Sequence, residues 1–297
     1  MNHVLRTSAA SRDLPTISGS TKVCAVIGDP IAHSLSPAIH NAAFRSLNMN
    51  IVYVAFRVQE SQLAAAIEGF KSLGALGINI TMPHKSRVLR FLDRIDDTAQ
   101  EIGAVNTVVR RSSKLHGYNT DGHAAVKALS DLESLSDRRA VILGAGGAAK
   151  AIAYQLSKIV ETIVILNRTP SKGARLASKV TEWGEASSCS YALDKANLRR
   201  EVAQANILIN TLPVDVFPRF GKILIRERLA WRDMLVMDTN YEPKTDFLAK
   251  ASVAGAKAID GLEMLIEQAA LSFKLWTGVN APIAVMRKAA VEARARR

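Results

Sequence analysis

The 297-residue sequence predicts an α/β chain of two domains, an N-terminal domain built on a mixed sheet and a second domain built on a doubly wound parallel sheet. Three observations predict it. Short apolar, β-branched runs alternate with helical stretches from residue 22 onward. In the second half the runs at 140–143, 162–166, 207–210, 235–237 and 256–259 recur at the spacing that strand–helix–strand units need. Finally, the stretch 140–150 reads as a buried strand that breaks at Gly144 and opens a helix near Gly147.

That break carries the spacing Gly144-x-Gly146-x-x-Ala149, the dinucleotide-binding pattern with Ala in its third place. Gly144 allows a tight turn. Gly146 lets backbone approach a pyrophosphate, which then sits over free N–H groups at the helix N-terminus. Ala149 is small enough for close helix–strand packing. Glycine-rich strand-to-helix turns also occur without cofactors, but here a strand precedes, a helix follows and a second strand ends at Leu166. Gly144, Ala145, Gly146, Gly147 and Ala148 are therefore expected at a cofactor, and the domain is read as a Rossmann domain. Where an NAD site usually places Asp or Glu, this chain has Asn167, Arg168 and Thr169, with Lys172 close behind. Two cations and no carboxylate suit a 2′-phosphate, and an Arg can stack on adenine while pairing with it. NADP is expected. The competing reading, a solvated basic loop, leaves the upstream glycine turn unexplained.

Taken in order, residues 1–20 carry Ser, Thr, Arg and one Pro without hydrophobic periodicity and are expected to form a flexible extension. They lack the apolar core of a secretory signal. Their acid-poor composition mimics a transit peptide but forms no clear amphipathic helix, and a linker or the remnant of a fused neighbour fits better. Residues 23–27 form an apolar strand, and Ser36 is expected to cap a helix with Pro37 at its first position, running to about 47. A strand at 51–55, a helix over 61–73 closed by Gly74, and a strand at 75–80 follow. Short helices are expected at 85–91 and 96–102, then a hairpin of 104–109 and 114–118 around 110–113. A helix around 122–132 crosses into the second domain. Gly261 opens a helix over 264–276, and a last helix over 281–294 ends in a basic run that suits the helix dipole and a solvated terminus.

No apolar run is long enough to span a bilayer. Cys24 and Cys189 lie far apart without metal-ligand spacing, and both are expected to stay reduced in the cytoplasm. The net charge of +12 favours anionic partners, nucleic acid among them. With 5% aromatic residues and no basic motif interleaved with them, stacking recognition has little support, and a small anionic substrate with a phosphorylated cofactor accounts for the charge equally well. His33, His84 and His123 adjoin polar motifs, yet no pair has metal spacing, so no metal is expected and His84 is read as a packing residue.

Four polar clusters fall at ends of predicted first-domain strands: Ser34 with Ser36; Asn79, Thr81 and Lys85; Asn106 with Thr107; and Asn119 with Asp121. Ligands of open α/β sheets bind beyond the carboxyl ends of strands, so these clusters are expected to meet in one crevice.

The motifs Gly28-x-Pro30-Ile-x-His33-Ser34-x-Ser36-Pro37, Asn79-x-Thr81-x-Pro83-x-Lys85, Gly103-Ala-Val-Asn-Thr107, Asn119-Thr-Asp-Gly122, Gly144-Ala-Gly-Gly-Ala148, Asn167-Arg-Thr169 and Asp260-Gly261, with Gln268-Ala-Ala after it, resemble those of shikimate dehydrogenases. They occur in that family's order from about residue 22 to the C-terminus. The resemblance implies reversible NADP-linked reduction of 3-dehydroshikimate to shikimate, a step of aromatic amino acid biosynthesis. It implies that Ser34 and Ser36 donate to the substrate carboxylate, that Asn79, Thr81 and Asn106 hold it and the hydroxyls, and that Tyr241 and Gln268 close the site from the other side. Lys85 is expected to exchange the proton, with Asp121 orienting it and binding a substrate hydroxyl; the alternative is a purely structural ion pair. Thr239 and Gly261 are implied near the nicotinamide. The expected organisation is an extension over 1–20, a substrate domain of 21–121 with the returning C-terminal helices 263–297, and a cofactor domain of 122–262, in a monomer or homodimer without nucleic acid or membrane partners. The loop over 210–217 departs from the family by losing a glycine and gaining Asp215, and Asp246 stands where Pro is usual after Thr245. A relative acting on quinate or on both acids with broader cofactor use, a catalytically silent ligand-binding relative of the same fold and, weakest, a generic nucleic-acid-binding α/β protein are the competing readings.

Overall fold

Two six-stranded sheets organise the chain. The computed structural model describes residues 17–212, 231, 233–241 and 246–297. Most of the departing loop, 213–217, and residue 245 lie outside the described residues, as do residues 1–16 of the expected extension. The extension's described end is tied down: Thr21 N–H donates to Ser18 O at 3.0 Å, Thr21 Oγ1 to Asn50 Oδ1 at 2.7 Å, and Asn50 Nδ2 to Ser20 Oγ at 3.1 Å.

The first sheet contains β1 (Lys22–Gly28), β2 (Ile51–Arg57), β3 (Gly77–Ile80), β4 (Arg94–Ile95), β5 (Thr107–Arg111) and β6 (Lys114–Tyr118), in the order β2-β1-β3-β5-β6-β4. β1 pairs in parallel with β2 and β3, while β5 runs antiparallel to both β3 and β6, so the sheet is mixed as expected. Side chains alternate across β1. Cys24 and Val26 face α1 (Ser36–Ser46), α9 (Gly261–Thr277) and α10 (Ile283–Ala295), whereas Ala25 and Ile27 face the layer of α2 (Leu63–Ser72).

The second sheet is all parallel, with β7 (Arg139–Leu143), β8 (Thr162–Asn167), β9 (Ser187–Ala192), β10 (Ile207–Asn210), β11 (Leu235–Asp238) and β12 (Lys257–Ile259) in the order β12-β11-β10-β7-β8-β9. Chain order reverses between β7 and β10, the switch point at which a doubly wound sheet opens a crevice. Both faces are covered, which is why the central strands read as unbroken apolar runs. Ala140, Ile142, Ile163, Ile165, Ile207 and Ile209 pack with α4 (Asp121–Ser130), α5 (Gly147–Leu156) and α6 (Pro170–Trp183). Val141, Leu143, Val164, Leu166 and Leu208 pack with α7 (Lys195–Val202) and α8 (Asp246–Val253). The sheets meet through a small cluster of Ile102, Ala104, Ala151 and Tyr154, which joins α3 (Asp97–Ile102) to α5, and through α9, whose Met264 belongs to the second-sheet core while Leu262 and Ile266 belong to the first.

Two local expectations are corrected, and two strands are added. Leu35, not Ser36, is the cap of α1; Ser36 is the first helical residue, and its N–H donates to Ser34 Oγ at 3.3 Å while its side chain turns into the site. The expected helix over 85–91 shrinks to a 3-10 turn at Val88–Phe91, because the Lys85 carbonyl accepts Val105 N–H at 2.8 Å and leaves any helical ladder. The edge strands β4 and β9 carried no apolar signal: β4 has two residues, and β9, Ser-Ser-Cys-Ser-Tyr-Ala, is half-exposed.

His40 lies fully buried on the inner face of α1, its ring stacked on Tyr53 at 4.4 Å with neither ring nitrogen bonded. Burial pushes its pKa down from 6.5 to about 3. Within that window the unfolded chain binds a proton that the folded chain refuses, so this stability is complete above the unfolded value and declines as pH falls toward the folded one. Urea titrations across pH 7 to 4 should show a steep loss in the parent protein and a flatter one in His40→Leu; equal slopes would contradict the assignment.

Candidate active site

Ser34, Asn79, Thr81 and Lys85, from the carboxyl ends of β1 and β3, converge with Asn106 toward α4 and α9. Asn106 and Thr107 stand at the start of β5, not beyond its carboxyl end as expected, and reach the crevice because β5 runs antiparallel to β3. A cavity of about 250 Å³ forms there. Its lining unites every residue expected at the substrate: Ser34, Ser36, Asn79, Thr81, Lys85, Asn106, Asp121, Tyr241 and Gln268. Thr239, Gly261 and Ala148, expected at the cofactor, line it from the second-sheet side.

Lys85 Nζ donates to Asp121 Oδ2 at 2.8 Å, with the lysine side chain 21% exposed and the carboxylate 5% exposed. Asp121 opens α4, where its charge suits the helix dipole. Its other oxygen accepts from Asn106 Nδ2 at 2.9 Å. The orientation of Asn106 is not arbitrary: its Oδ1 accepts Thr120 N–H at 2.9 Å, a group that can only donate, so the NH₂ must face the carboxylate. Asn79 is held as firmly. Its Oδ1 accepts the Tyr53 hydroxyl at 2.7 Å, while Nδ2 lies 3.1 Å from Asn106 O, Thr107 Oγ1 and Ser272 Oγ. Burial raises the Tyr53 phenol well above its ordinary pKa and keeps it a donor. Gln268 Nε2 donates to Leu265 O at 2.8 Å.

The glycine turn stands directly against this group. A Cβ on Gly147 would lie 3.5 Å from Lys85 Cδ, so the lysine stem runs along the start of α5. Gly144 sits at φ +116°, open to glycine, and an added Cβ would meet Thr211 Oγ1 at 2.4 Å. α5 has Gly146 as its cap, with no side-chain hydrogen bond at that end and no acidic residue in its first turn. The first N–H groups of α5 thus have no side-chain acceptor, which fits a pyrophosphate.

Ala145, Gly146, Gly147 and Lys172 line a second cavity of about 620 Å³ between α5, α6 and α3, with Lys150 and Arg175. The Lys150 ammonium is pushed below its usual pKa by burial and then by the neighbouring Arg175 and Lys172, a local field that attracts phosphate. Asn167 Nδ2 donates to Thr169 O at 2.9 Å and shapes the loop after β8; Arg168 and Thr169 on that loop are exposed and line neither cavity.

His84 is fully buried with Nε2 2.7 Å from Val58 O, a packing role as expected. His33 lines the cavity and His123 is exposed. Among the described residues no group of three His, Cys, Asp or Glu could hold a metal, and no helix is long and apolar enough to cross a membrane. Met264 and Leu265 line the cavity and went unnoticed in the sequence; their spacing from Gly261 and Gln268 puts all four on one face of α9 and could have revealed them.

A doubly wound sheet with an open helix N-terminus, facing a polar cleft that holds an ammonium–carboxylate pair, defines the class: a two-domain α/β protein of dehydrogenase architecture. Comparison with known proteins makes it specific. Residues 26–108 match the shikimate dehydrogenase substrate binding domain, 126–212 the shikimate / quinate 5-dehydrogenase family, and 261–291 the shikimate 5′-dehydrogenase C-terminal domain. Shikimate dehydrogenase (NADP⁺) of Thermococcus kodakarensis is 45% identical, the match covering 92% of this chain and 97% of the relative. The fold matches a shikimate dehydrogenase crystallised with NADP⁺ at a TM-score of 0.83 and 41% identity, covering 93% and 97% of the two chains. It also matches shikimate 5-dehydrogenase of Thermus thermophilus, in complex with NADP(H) and shikimate, at 0.76 and 31%, covering 92% and 100%. The chain belongs to the shikimate dehydrogenase family.

Gly261 lets the start of α9 press onto Thr239, whose carbonyl oxygen would lie 2.4 Å from an added Cβ. Gly261→Ala should cost about 1–3 kcal/mol of unfolding free energy in a urea titration; an unaltered midpoint would contradict this close approach.

Proposed function

We propose that this chain catalyses the reversible, NADP-linked reduction of 3-dehydroshikimate to shikimate, consistent with a place in aromatic amino acid biosynthesis. The observation that carries the reading is the Lys85–Asp121 pair, set in a cavity of hydroxyl and amide groups and pressed against the glycine turn. The division into a substrate half, 21–121 with 263–297, and a cofactor half, 122–262, follows the same reading.

The residues have distinct tasks. Ser34 and Ser36 offer hydroxyls to the substrate carboxylate, and Thr81, Asn106, Tyr241 and Gln268 surround the ring hydroxyls. A site built to pair hydroxyls rejects analogues lacking them, because its own buried groups are left unpaired. The uncapped start of α5 takes the pyrophosphate, Arg168 and Lys172 the 2′-phosphate, and Thr239 and Gly261 border the nicotinamide. NADPH, when bound, supplies the hydride. The carbonyl oxygen, gaining negative charge as its carbon is reduced, takes a proton from Lys85 Nζ; in the oxidative direction Nζ receives it. Asp121 keeps Nζ aimed into the cavity and lies within reach of a substrate hydroxyl.

Absorbance at the reduced-nicotinamide band tests the reading. Shikimate with NADP⁺ should turn over, with kcat/KM at least about tenfold above that with NAD⁺ and above that for quinate with either cofactor. Absence of turnover would contradict the proposal, and quinate with NAD⁺ as the best pair would replace it. Lys85→Ala should lower kcat by about 10²–10⁴-fold with substrate KM within a few-fold, the signature of a group acting in the transition state. Near-native kcat would remove Lys85 from the mechanism and favour the structural ion pair. Arg168→Ser should raise KM for NADP⁺ while leaving that for NAD⁺ unaltered; parallel changes would place the 2′-phosphate elsewhere.

A further inference from the structure

Behind the cavity lies a hydrogen-bond network that the reaction as described does not use. Thr107 is fully buried at the start of β5, Ser272 is fully buried on α9, and neither lines the cavity. Their hydroxyl oxygens are 2.7 Å apart. Thr107 Oγ1 accepts from Asn79 Nδ2 at 3.1 Å and reaches Asn106 Oδ1 at 3.0 Å; Ser272 Oγ reaches the Gln268 carbonyl at 2.9 Å and Asn79 Nδ2 at 3.1 Å. Thr120 Oγ1 closes the ring, accepting from Asn106 Nδ2 at 2.8 Å and lying 3.3 Å from the Gln268 carbonyl.

Donors and acceptors balance in only a few ways. Asn79 must turn its NH₂ toward Asn106 O, because that carbonyl can only accept. Its oxygen is then left for the Tyr53 hydroxyl. Thr107 Oγ1 receives one Asn79 N–H, so its single proton goes to Asn106 Oδ1 or to Ser272 Oγ. Thr120 N–H keeps the Asn106 amide oxygen pointed inward in both, and the first arrangement, in which Ser272 Oγ donates to Thr107 Oγ1, adds a second donor that pins that oxygen from behind.

We propose that Thr107, assisted by Ser272, is a positioning residue: it locks the amide of Asn106 and through it the carboxylate that aims Lys85. The network joins β2, β3, β5 and α9 to Asn106 and to the first turn of α4, so the carboxylate that meets the ammonium is backed by strands of the first sheet and by α9. This rests on the assignment of Lys85 as the proton donor.

Thr107→Val removes the hydroxyl and keeps the branched shape; Thr107→Ser keeps the hydroxyl and removes a methyl. With a near-parental melting temperature, Thr107→Val should lose about ten- to a hundredfold in kcat with substrate KM within threefold, since misplacement rather than lost binding is responsible. Thr107→Ser should recover most of that loss, which a purely structural role of the methyl would not allow. A folded Thr107→Val with kcat within twofold of the parent overturns the proposal, and so does Thr107→Ser being as impaired as Thr107→Val. If Thr107→Val does not fold, Ser272→Ala decides: a several-fold fall in kcat at constant KM supports the network, and an unaltered kcat overturns it. Failure of the Lys85 reading is separable, because Lys85→Ala would then retain turnover whatever Thr107 does.

Discussion

The contact between the Lys85 ammonium and the Asp121 carboxylate is the constraint around which the rest is arranged. A lysine whose stem is enclosed by protein needs an anion, and a carboxylate only 5% exposed needs a cation and donors. The chain meets both needs with groups from distant segments. The lysine follows β3, the carboxylate opens α4, and Asn106 precedes β5. Replacing either charge strands the other in a poorly solvated place.

From that pair outward, the architecture divides labour by physics. The first sheet supplies short polar side chains at strand ends, where they are rigid and converge. The second supplies backbone, in the form of an uncapped helix N-terminus reached through a turn that only glycine accommodates. Lys150 on α5 and Lys172 and Arg175 on α6 gather positive charge beside that helix start, and burial first, then the two neighbouring cations, push the Lys150 ammonium below its usual pKa. The chain's net charge of +12 thus has a local expression beside the glycine turn.

Much of this was legible in the sequence. β-branched runs at regular intervals marked the strands of both sheets, since strands buried on both faces must be apolar throughout. Polar residues just beyond those runs marked the cavity lining, because strand ends converge in open sheets. The missing parts have physical reasons. β9 is half-exposed and β4 has two residues, so neither had an apolar signature. The 85–91 segment reads as a helix by local spacing, but a tertiary bond from Val105 to the Lys85 carbonyl overrides it. Ser36 has the composition of a cap and instead faces the cavity. The buried network through Tyr53, Thr107 and Ser272 draws on segments near both ends of the chain and becomes visible only when the fold brings them together.

The account stands on Lys85 acting as a proton donor and acceptor, not merely as a charge. Chemical rescue of the Lys85→Ala protein examines that directly. Small primary amines added to the shikimate–NADP⁺ assay should restore turnover in proportion to their concentration, and tetramethylammonium, which carries the charge without a proton to exchange, should not. Equal rescue by both, or turnover needing no rescue, would contradict it.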